Sequence, residues 1–304
     1  MIETYLLEEL ISFAHTKTLA KTAAALHVTQ PTITRGMQKL EAELNVQLFD
    51  RQPNRITLTP TGVLAAQEAQ ALLTHQQAFV TKIQNFEQSL NTVTIESTLP
   101  GPLVLSGHLQ ATLPPERYAV QESLIAPTQI MDHLTNHRTS LIFSDQEILT
   151  SDVESRFIGY ENLVVHLQKF MYRANQPNIT FSELNGMSFV VLNAIGNWKT
   201  IIQQAIPDAK FLYQPERSAL TEITKYADFP YFSTNITALE PPTTSRSTDD
   251  DNRVAIPISD RSAHMPIYAN YLISQRQRLI PLLRQFSAAW PASSDTRSAH
   301  HLRD

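Results

Sequence analysis

The stretch AAALHVTQPTITR, residues 23–35, ends one helix and starts another within a few residues. Its alanine run favours a helix, and Thr29 can cap a new helix that begins at Gln30 by accepting a backbone hydrogen bond. Pro31 falls in the first turn of that helix, where its missing N–H costs nothing. The stretch therefore predicts two short helices joined by a tight turn.

The helix predicted from Gln30 to about Leu44 has two different faces. Its buried face is expected to consist of residues at spacings of 4, 3 and 4, namely Ile33, Met37, Leu40 and Leu44. The opposite face is polar at its start, and such side chains suit base edges in the major groove of DNA. The residues of this helix predicted to contact DNA are Gln30, Pro31, Thr32, Thr34, Arg35 and Gln38.

Residues on both sides of this pair extend the pattern to a winged helix-turn-helix. An apolar stripe over residues 6–14 predicts a first helix that packs against the other two. Two short extended runs over residues 48–59, joined at Pro53 and Asn54, predict a hairpin wing. Arg51 and Arg55 lie on this wing, where they are placed to contact phosphate or the minor groove.

Charge and composition narrow the class of protein. The net charge of −5 argues weakly against nucleic-acid binding, but residues 17–59 carry six basic and three acidic side chains. The chain has no cysteine, which excludes disulfides and cysteine–zinc sites, and no apolar run approaches a membrane span. No phosphate loop, nucleophile elbow or paired-carboxylate motif occurs. We expect a cytoplasmic protein that is not an enzyme, with no metal, cofactor or membrane partner.

A long helix is predicted over residues 60–91, with a heptad seam along one side. Ala65 and Ala69 extend the seam towards the wing, and Gln76 is a polar residue within it. The seam predicts a two-helix dimer interface, and the alternative is a helix packed on its own chain. The residues predicted to form the interface are Leu72, Phe79, Ile83, Phe86 and Leu90.

Beyond residue 92, short apolar runs alternate with helical stretches, which is typical of parallel α/β sheets. Strands are predicted at 93–96, 118–122, 140–143, 163–167, 188–192, 210–214, 231–233, 253–256 and 268–274. Helices are predicted at 103–112, 127–136, 199–205, 218–226 and 279–290.

Residues 19–62 closely resemble the LysR-type transcriptional regulators, above all in AAALHVTQPTITR with LEAEL, LFDR and LTPTG after it. The one departure is Asn45, where the family usually has a glycine that ends the third helix, and asparagine also tolerates the left-handed conformation. The resemblance implies a multidomain fold. An all-α winged helix-turn-helix (1–59) and a long dimerisation helix (60–91) precede a two-lobed α/β effector domain (92–291). That domain is of the periplasmic-binding-protein-like type 2 class, and a flexible tail (292–304) follows it.

The same resemblance implies the partners. The family pairs two readers on an imperfect inverted repeat of promoter DNA, assembles as a dimer that pairs again to a tetramer, and responds to a small effector. Lobe one would be about 92–161 with 266–291, and lobe two about 162–265. An effector, such as a small carboxylate, would bind in the crevice between them, where strand ends meet helix starts. The predicted effector-binding residues are Ser97, Thr98, Thr128, Ser144 and Asn193, with 193–197 and 232–234 at the same edges.

Two other readings stay open. The helix-turn-helix could be an accessory to a solute-binding or enzymatic module. Alternatively, the C-terminal domain could be only an oligomerisation scaffold, because the prolines within 98–115 shorten one wall of the crevice. His133 and His137 have a spacing that could hold a metal, but no third ligand is placed, so they are predicted to lie on a solvent face. The acidic loop 243–252 does not match a calcium motif.

Overall fold

The structure is a computed structural model that describes residues 1–53, 55–110, 117–239 and 252–291. It has two units, Met1–Gln84 and Asn85–Asp304. Some features singled out in the sequence lie outside the described residues: the turn residue Asn54, Pro114 and Pro115, nearly all of the acidic loop, and the tail.

The first unit is a winged helix-turn-helix, as the sequence predicts. Its three helices are followed by an antiparallel hairpin in which Phe49 pairs with Leu58. A long helix then begins at Pro60. The elements are α1 (Thr4–Thr16), α2 (Leu19–Ala25), α3 (Gln30–Leu44), β1 (Phe49–Gln52), β2 (Arg55–Leu58) and α4 (Pro60–Asn91).

Local signals in the sequence set the ends of these helices. The N–H of Thr32 donates to Thr29 Oγ1 at 3.4 Å, which caps α3, and the N–H of Gly62 donates to Thr59 Oγ1 at 3.0 Å, which caps α4. Asn45 ends α3 with φ of 52°, in the left-handed region. The cap and the asparagine end of α3 are therefore confirmed.

The core of the first unit corrects two expectations. Leu44 was assigned to the buried face of α3, but it is 37% exposed because the helix ends there and turns away from the core. Ala69 was placed on the dimer seam, but it is buried with Ala66 in the core of the unit. The other members of this core are Leu6, Leu7, Leu10, Phe13, Ala23, Ile33, Met37, Leu40, Leu48 and Phe49.

The second unit alternates strands and helices after the end of α4. Among the helices that the structure describes, none is long and apolar enough to cross a membrane. The strands are β3 (Val93–Ser97), β4 (Tyr118–Val120), β5 (Leu141–Ser144), β6 (Val153–Gln168), β7 (Ser188–Leu192), β8 (Lys210–Gln214), β9 (Tyr231–Thr234), β10 (Arg253–Pro257) and β11 (His264–Leu272). The helices are α5 (Pro100–Gln110), α6 (Ile130–Thr135), α7 (Trp198–Ala205), α8 (Arg217–Tyr226) and α9 (Arg276–Ala289).

The strands form one continuous sheet in the order β4-β3-β5-β11-β6-β9-β7-β8, with β10 also paired to β6. The strands β3, β4 and β5 are parallel at one end of the sheet, which we call lobe one, and β7, β8 and β9 are parallel at the other end, which we call lobe two. The lobes are joined through β6 and β11, which run antiparallel to their neighbours, so the all-parallel expectation is wrong for the centre of the sheet.

The strand β6 is the physical link between the lobes. It has 16 residues, where the sequence predicted only five at 163–167. Residues 153–162 pair with β11, and residues 163–168 pair with β9 or β10. A residue near the middle of β6 therefore lies where one lobe gives way to the other.

Candidate nucleic-acid interface and ligand crevice

The start of α3 presents an exposed polar surface. Gln30, Pro31, Thr32, Arg35 and Gln38 are exposed. The cap fixes this end of the helix, because the hydroxyls of Thr29 and Thr32 lie 2.9 Å apart in addition to the backbone bond. These side chains therefore project from a helix start whose geometry is set by its own sequence.

Thr34, also assigned to the reading face, is half-buried, and its hydroxyl donates to the carbonyl of Gln30 at 3.1 Å. On the opposite side of α3, Ile33 and Met37 are buried.

A close contact between α1 and α3 was missed in the sequence. Gly36 is buried on α3, and a Cβ built there would lie 1.8 Å from Glu9 Oε2 on α1. Glu9 is itself buried, and burial raises the pKa of its carboxyl. Its Oε2 atom has no hydrogen-bond partner among the described residues. The sequence signal was a glycine in mid-helix, which costs helix stability and usually has a packing reason.

The wing is tied to α3 through Glu41. The N–H groups of Leu48 and Phe49 donate to Glu41 Oε1 at 2.8 and 3.0 Å, and Arg51 Nη2 lies 2.7 Å from Glu41 Oε2. Burial acts to raise the pKa of Glu41, but the Phe49 N–H, the Arg51 guanidinium and the Leu48 N–H outweigh it and hold the pKa below its ordinary value. Of the two wing arginines assigned to DNA, Arg51 is thus held by Glu41, and Arg55 is exposed.

The apolar stripe of α4 lies on the side away from the core of the first unit. Phe79 is 66% exposed and Ile83 is 54% exposed, whereas Ala66 and Ala69 on the other side are buried. An α-helix of 32 residues is about 48 Å long, so the stripe is an extended surface. All five residues assigned to the dimer seam are exposed within the single chain, namely Leu72, Phe79, Ile83, Phe86 and Leu90.

The residues assigned to effector binding lie in different surroundings. The Ser97 hydroxyl is buried and donates to the carbonyl of Leu99 at 2.6 Å, so it serves its own loop. The Ser144 hydroxyl is also buried and accepts from Asn270 Nδ2 at 2.9 Å. Thr98 is buried, and its hydroxyl has no hydrogen-bond partner among the described residues.

The other two predicted residues are more accessible. Thr128 is exposed in the 3-10 turn Pro127–Gln129, just before α6. Asn193 is exposed after β7, and its side-chain oxygen accepts from Lys199 Nζ at 2.9 Å. The five residues therefore do not form a single accessible polar surface in this structure.

The most unusual group of the crevice, Glu161 on β6, was not predicted. Its side chain is completely buried, and burial is the main cause that raises the pKa of its carboxyl to about 7. The side chains of Thr234 and Trp198 lie close enough to lower this pKa, which opposes the effect of burial. Within the described part of the chain, however, neither carboxyl oxygen has a partner with normal hydrogen-bond geometry. Only tertiary structure could reveal this residue, because nothing local in β6 marks it.

The prediction of a solvent-facing histidine pair is wrong for His133. Its side chain is buried, and its Nδ1 lies 2.6 Å from Glu96 Oε2 on β3. The hydroxyl of Thr139 donates to the same oxygen at 2.6 Å. The buried Glu96 oxygen thus has two partners, which makes this cluster a structural tie between α6 and the sheet. Among the described residues, no group of three or more potential ligands could hold a metal.

The N-terminal unit has relatives among known sequences. Residues 5–63 match the family described as bacterial regulatory helix-turn-helix protein, lysR family. The chain is 42% identical over 67 residues to the transcriptional regulator TcbR of Pseudomonas sp. (strain P51), covering 22% of this chain and 23% of TcbR. It is 30% identical over 84 residues to the uncharacterized regulator YcgK of Bacillus subtilis, covering 28% of this chain and 26% of YcgK. The match thus spans about a quarter of these curated relatives.

The fold is shared over nearly the whole chain. Vibrio fischeri DarR, solved in complex with DNA, has a TM-score of 0.61 at 17% identity, covering 94% of this chain and 99% of DarR. A full-length OxyR variant of Pseudomonas aeruginosa has a TM-score of 0.50 at 17% identity, covering 94% of this chain and 100% of that one. These likenesses concern the fold, a winged helix-turn-helix with a long helix and a periplasmic-binding-protein-like domain. Residues 5–63 thus form a helix-turn-helix domain similar to that of the lysR family of bacterial regulatory proteins.

Proposed function

We propose that this chain is a LysR-type transcriptional regulator that binds double-stranded promoter DNA in the cytoplasm, and that it is not an enzyme. The observation that carries the proposal is the exposed, capped start of α3 on a winged helix-turn-helix of the lysR family. TcbR and YcgK, which are both named as transcriptional regulators, match 67 and 84 residues of this chain, and DarR was solved with DNA. The start of a helix with free N–H groups and polar side chains suits both phosphate and base edges.

In this proposal each part of the reader has its own role. The side chains at the start of α3 enter the major groove, with Arg35 reading a base edge and Arg55 on the wing contacting phosphate. Arg51 acts with Glu41 to hold the wing against α3, since its guanidinium already has a carboxylate partner. The remaining contacts of α3 with DNA are assigned to Gln30, Pro31, Thr32, Thr34 and Gln38.

The exposed stripe of α4 supports a dimer. Large apolar side chains in a heptad series are costly to leave in water, and pairing two such helices buries them. Two readers related by a two-fold axis would bind two half-sites, which gives an imperfect inverted repeat as the target. Further pairing of dimers into a tetramer belongs to the same proposal.

A small effector bound between the lobes would act on this assembly. The crevice where β6 crosses between the lobes contains buried polar groups that lack hydrogen-bond partners in the part of the chain that the structure describes, which is unusual in a protein interior. A ligand there could change how the lobes sit together only through its different affinity for the two arrangements. This observation favours a sensing domain over a simple scaffold.

The test of the proposed function is selection of DNA by the purified full-length chain from a random-sequence duplex library. Enrichment of an imperfect inverted repeat, protected in footprinting, is the expected result. A variant with Arg35→Ala should enrich the same repeat with the preference relaxed at one base pair of each half-site. Failure to enrich any sequence, with the protein folded and dimeric, would contradict the proposal.

A further inference from the structure

The crevice between the lobes brings together three side chains and one glycine from four separate segments. Glu161 lies on β6 just before the strand changes partners, and it pairs with Met265 of β11. Gly101 is in the first turn of α5 in lobe one, and a Cβ there would lie 2.5 Å from Glu161 Oε2. Trp198 begins α7 and Thr234 ends β9, both in lobe two, and both act on the Glu161 carboxyl.

The two lobes also meet beside this carboxyl. Gly196, two residues before α7, has φ of 58°, and a Cβ there would lie 2.5 Å from the carbonyl oxygen of Thr98. Glycine is thus needed on both sides of the crevice. A Cβ at Gly101 would clash with the Glu161 carboxyl, and a Cβ at Gly196 would clash with the backbone of lobe one. The Glu161 carboxyl is enclosed by groups that belong to both lobes.

Within the described ranges of the chain, the buried polar groups of this crevice lack partners with normal hydrogen-bond geometry. Among the described residues, both oxygens of Glu161, the hydroxyl of Thr98 and the indole N–H of Trp198 are buried without a hydrogen bond. Burying such groups unpaired is unfavourable, most of all for a carboxylate. The Glu161 carboxylate is a strong acceptor, the Trp198 indole N–H is a donor, and the Thr98 hydroxyl can act as either. A ligand that complements it needs a donor, preferably cationic, for Glu161, and an acceptor for Trp198.

We propose that the crevice binds a small ligand that carries a protonated amino group, which pairs with Glu161, and an acceptor group that takes the Trp198 N–H. This combination is found in amino acids and amino alcohols. The inference rests on the proposed sensing role of the crevice and replaces the simple carboxylate expected from the sequence. An anion without an amine would be placed against a buried carboxyl, which is unfavourable.

The burial of Glu161 between the lobes couples ligand binding to a movement of the lobes. Because the carboxyl has no exposed surface in this structure, the lobes must separate for a ligand to reach it. The ligand then favours the separated arrangement through the ion pair and the indole contact, both of which are absent here. A ligand bound at Glu161 therefore changes the relation between the lobes that β6 joins.

The test is a thermal-shift screen of the full-length chain against the twenty common L-amino acids and ethanolamine, with putrescine as a diamine that lacks the acceptor group. Each amino acid is paired with its 2-hydroxy acid, which keeps the carboxylate and lacks the α-amine. We expect at least one amine to raise the melting temperature, and its 2-hydroxy partner to have no effect. The proposal would be overturned if 2-hydroxy acids that carry no amine bind, or if no amine raises the melting temperature.

Calorimetry with the amine found in the screen then locates the site. Glu161→Gln keeps the shape and removes the charge, so we expect affinity to fall about tenfold or more. Trp198→Phe removes the indole N–H together with part of the ring system, keeps the Glu161 charge, and should weaken binding less. Glu222→Gln, on the exposed face of α8, is the matched control and should bind as the wild type does. Unchanged affinity in Glu161→Gln would overturn the proposal.

DNA binding by the same preparations separates this inference from the proposed function. If the protein binds DNA sequence-specifically but no amine shifts its melting temperature, the proposed regulator function stands and the proposed ligand class is wrong. Absence of DNA binding would count against the regulator whatever the screen shows. Glu161→Gln is expected to fold, because it replaces a buried unpaired carboxyl by a neutral amide of the same shape.

Discussion

Glu41 on α3 and Arg51 on β1 form an ion pair with Nη2 and Oε2 2.7 Å apart, and the other oxygen of Glu41 accepts two backbone N–H groups from residues 48 and 49. One carboxylate therefore connects the recognition helix, the loop after it and the wing. Because the Glu41 side chain is only 13% exposed, these bonds are sheltered from solvent. The position of the wing relative to α3 therefore depends on this residue.

Glu41→Gln should loosen the wing without changing which sequence is read. The amide can accept only one set of these bonds and loses the ion pair, which should cost about 1–3 kcal/mol of stability in the first unit. Hydrogen exchange at the amides of residues 48 and 49 measures the effect. Glu43→Gln, whose only described ion pair is a 4.0 Å contact with Lys39, is the control and should cost well under about 1 kcal/mol. Equal exchange in both variants would contradict this role.

A second prediction concerns Gly36 and Glu9. Gly36→Ala alone should destabilise the first unit, because the new Cβ would lie 1.8 Å from Glu9 Oε2 and the buried carboxyl would have to move. In a Glu9→Ala background the same change should stabilise α3 by up to about 1 kcal/mol, since alanine favours a helix over glycine. A double-mutant cycle measures the reversal of sign. Equal effects of Gly36→Ala in both backgrounds would show that the two residues are not coupled.

Arg35 on α3 and Arg55 on the wing should behave differently on DNA. Arg35→Ala should cost about 1–3 kcal/mol of specific binding and relax the preference at one base pair, as expected for a base contact. Arg55→Ala should weaken binding to all sequences alike and reduce the salt slope by about one, as expected for a phosphate contact. Titrations of specific and random duplexes over a range of salt concentrations make the distinction. Identical behaviour of the two variants would refute these separate roles.

The exposed stripe of α4 gives a prediction about assembly. Phe79→Asp combined with Ile83→Asp should abolish the dimer, because two carboxylates would be buried in an apolar seam at a cost of several kcal/mol. Sedimentation of the full-length chain measures the result. The matched control is Gln77→Asp with Lys82→Asp, exposed positions of α4 outside the predicted seam. A double mutant on the seam that stays dimeric would place the interface elsewhere.

The parts of the fold that the sequence could predict are those with local causes. The cap at Thr29, the proline after it and the asparagine at the end of α3 act within one or two turns, and the structure confirms each of them. The first half of β6 was missed because its side chains alternate between buried and partly exposed around Gly159, a pattern weaker than the apolar run at 163–167. Its length depends on pairing with β11, more than a hundred residues later in the chain.

The candidate sites divide in the same way. The reading face of α3 follows from helical periodicity, so it could be derived residue by residue. Glu161 could not, because its burial arises from groups on three other segments that only the fold brings together. His133 was misplaced for a similar reason, since its partner Glu96 lies on another strand. Buried ionisable side chains are invisible to periodicity arguments, which assign charges to the surface by default.

The last prediction concerns the pH dependence of stability. Burial raises the pKa of Glu161 from 4.5 to about 7, and the nearby Thr234 and Trp198 do not titrate. The folded protein therefore holds a proton that the unfolded chain has released between these two values, so stability falls as pH rises through this range. The full difference corresponds to about 3 kcal/mol, reached above about pH 7. Glu161→Gln should remove this loss. The free energy of unfolding of the variant rises relative to that of the wild type as pH rises from 4.5 to 7, and the difference is constant above that.

The chain has two tryptophans, Trp198 and Trp290, both in the second unit, so their fluorescence in urea titrations reports on that unit alone. Glu222→Gln should follow the wild type at every pH. A constant difference between Glu161→Gln and wild type at all pH values would mean that Glu161 keeps an ordinary pKa in the folded protein.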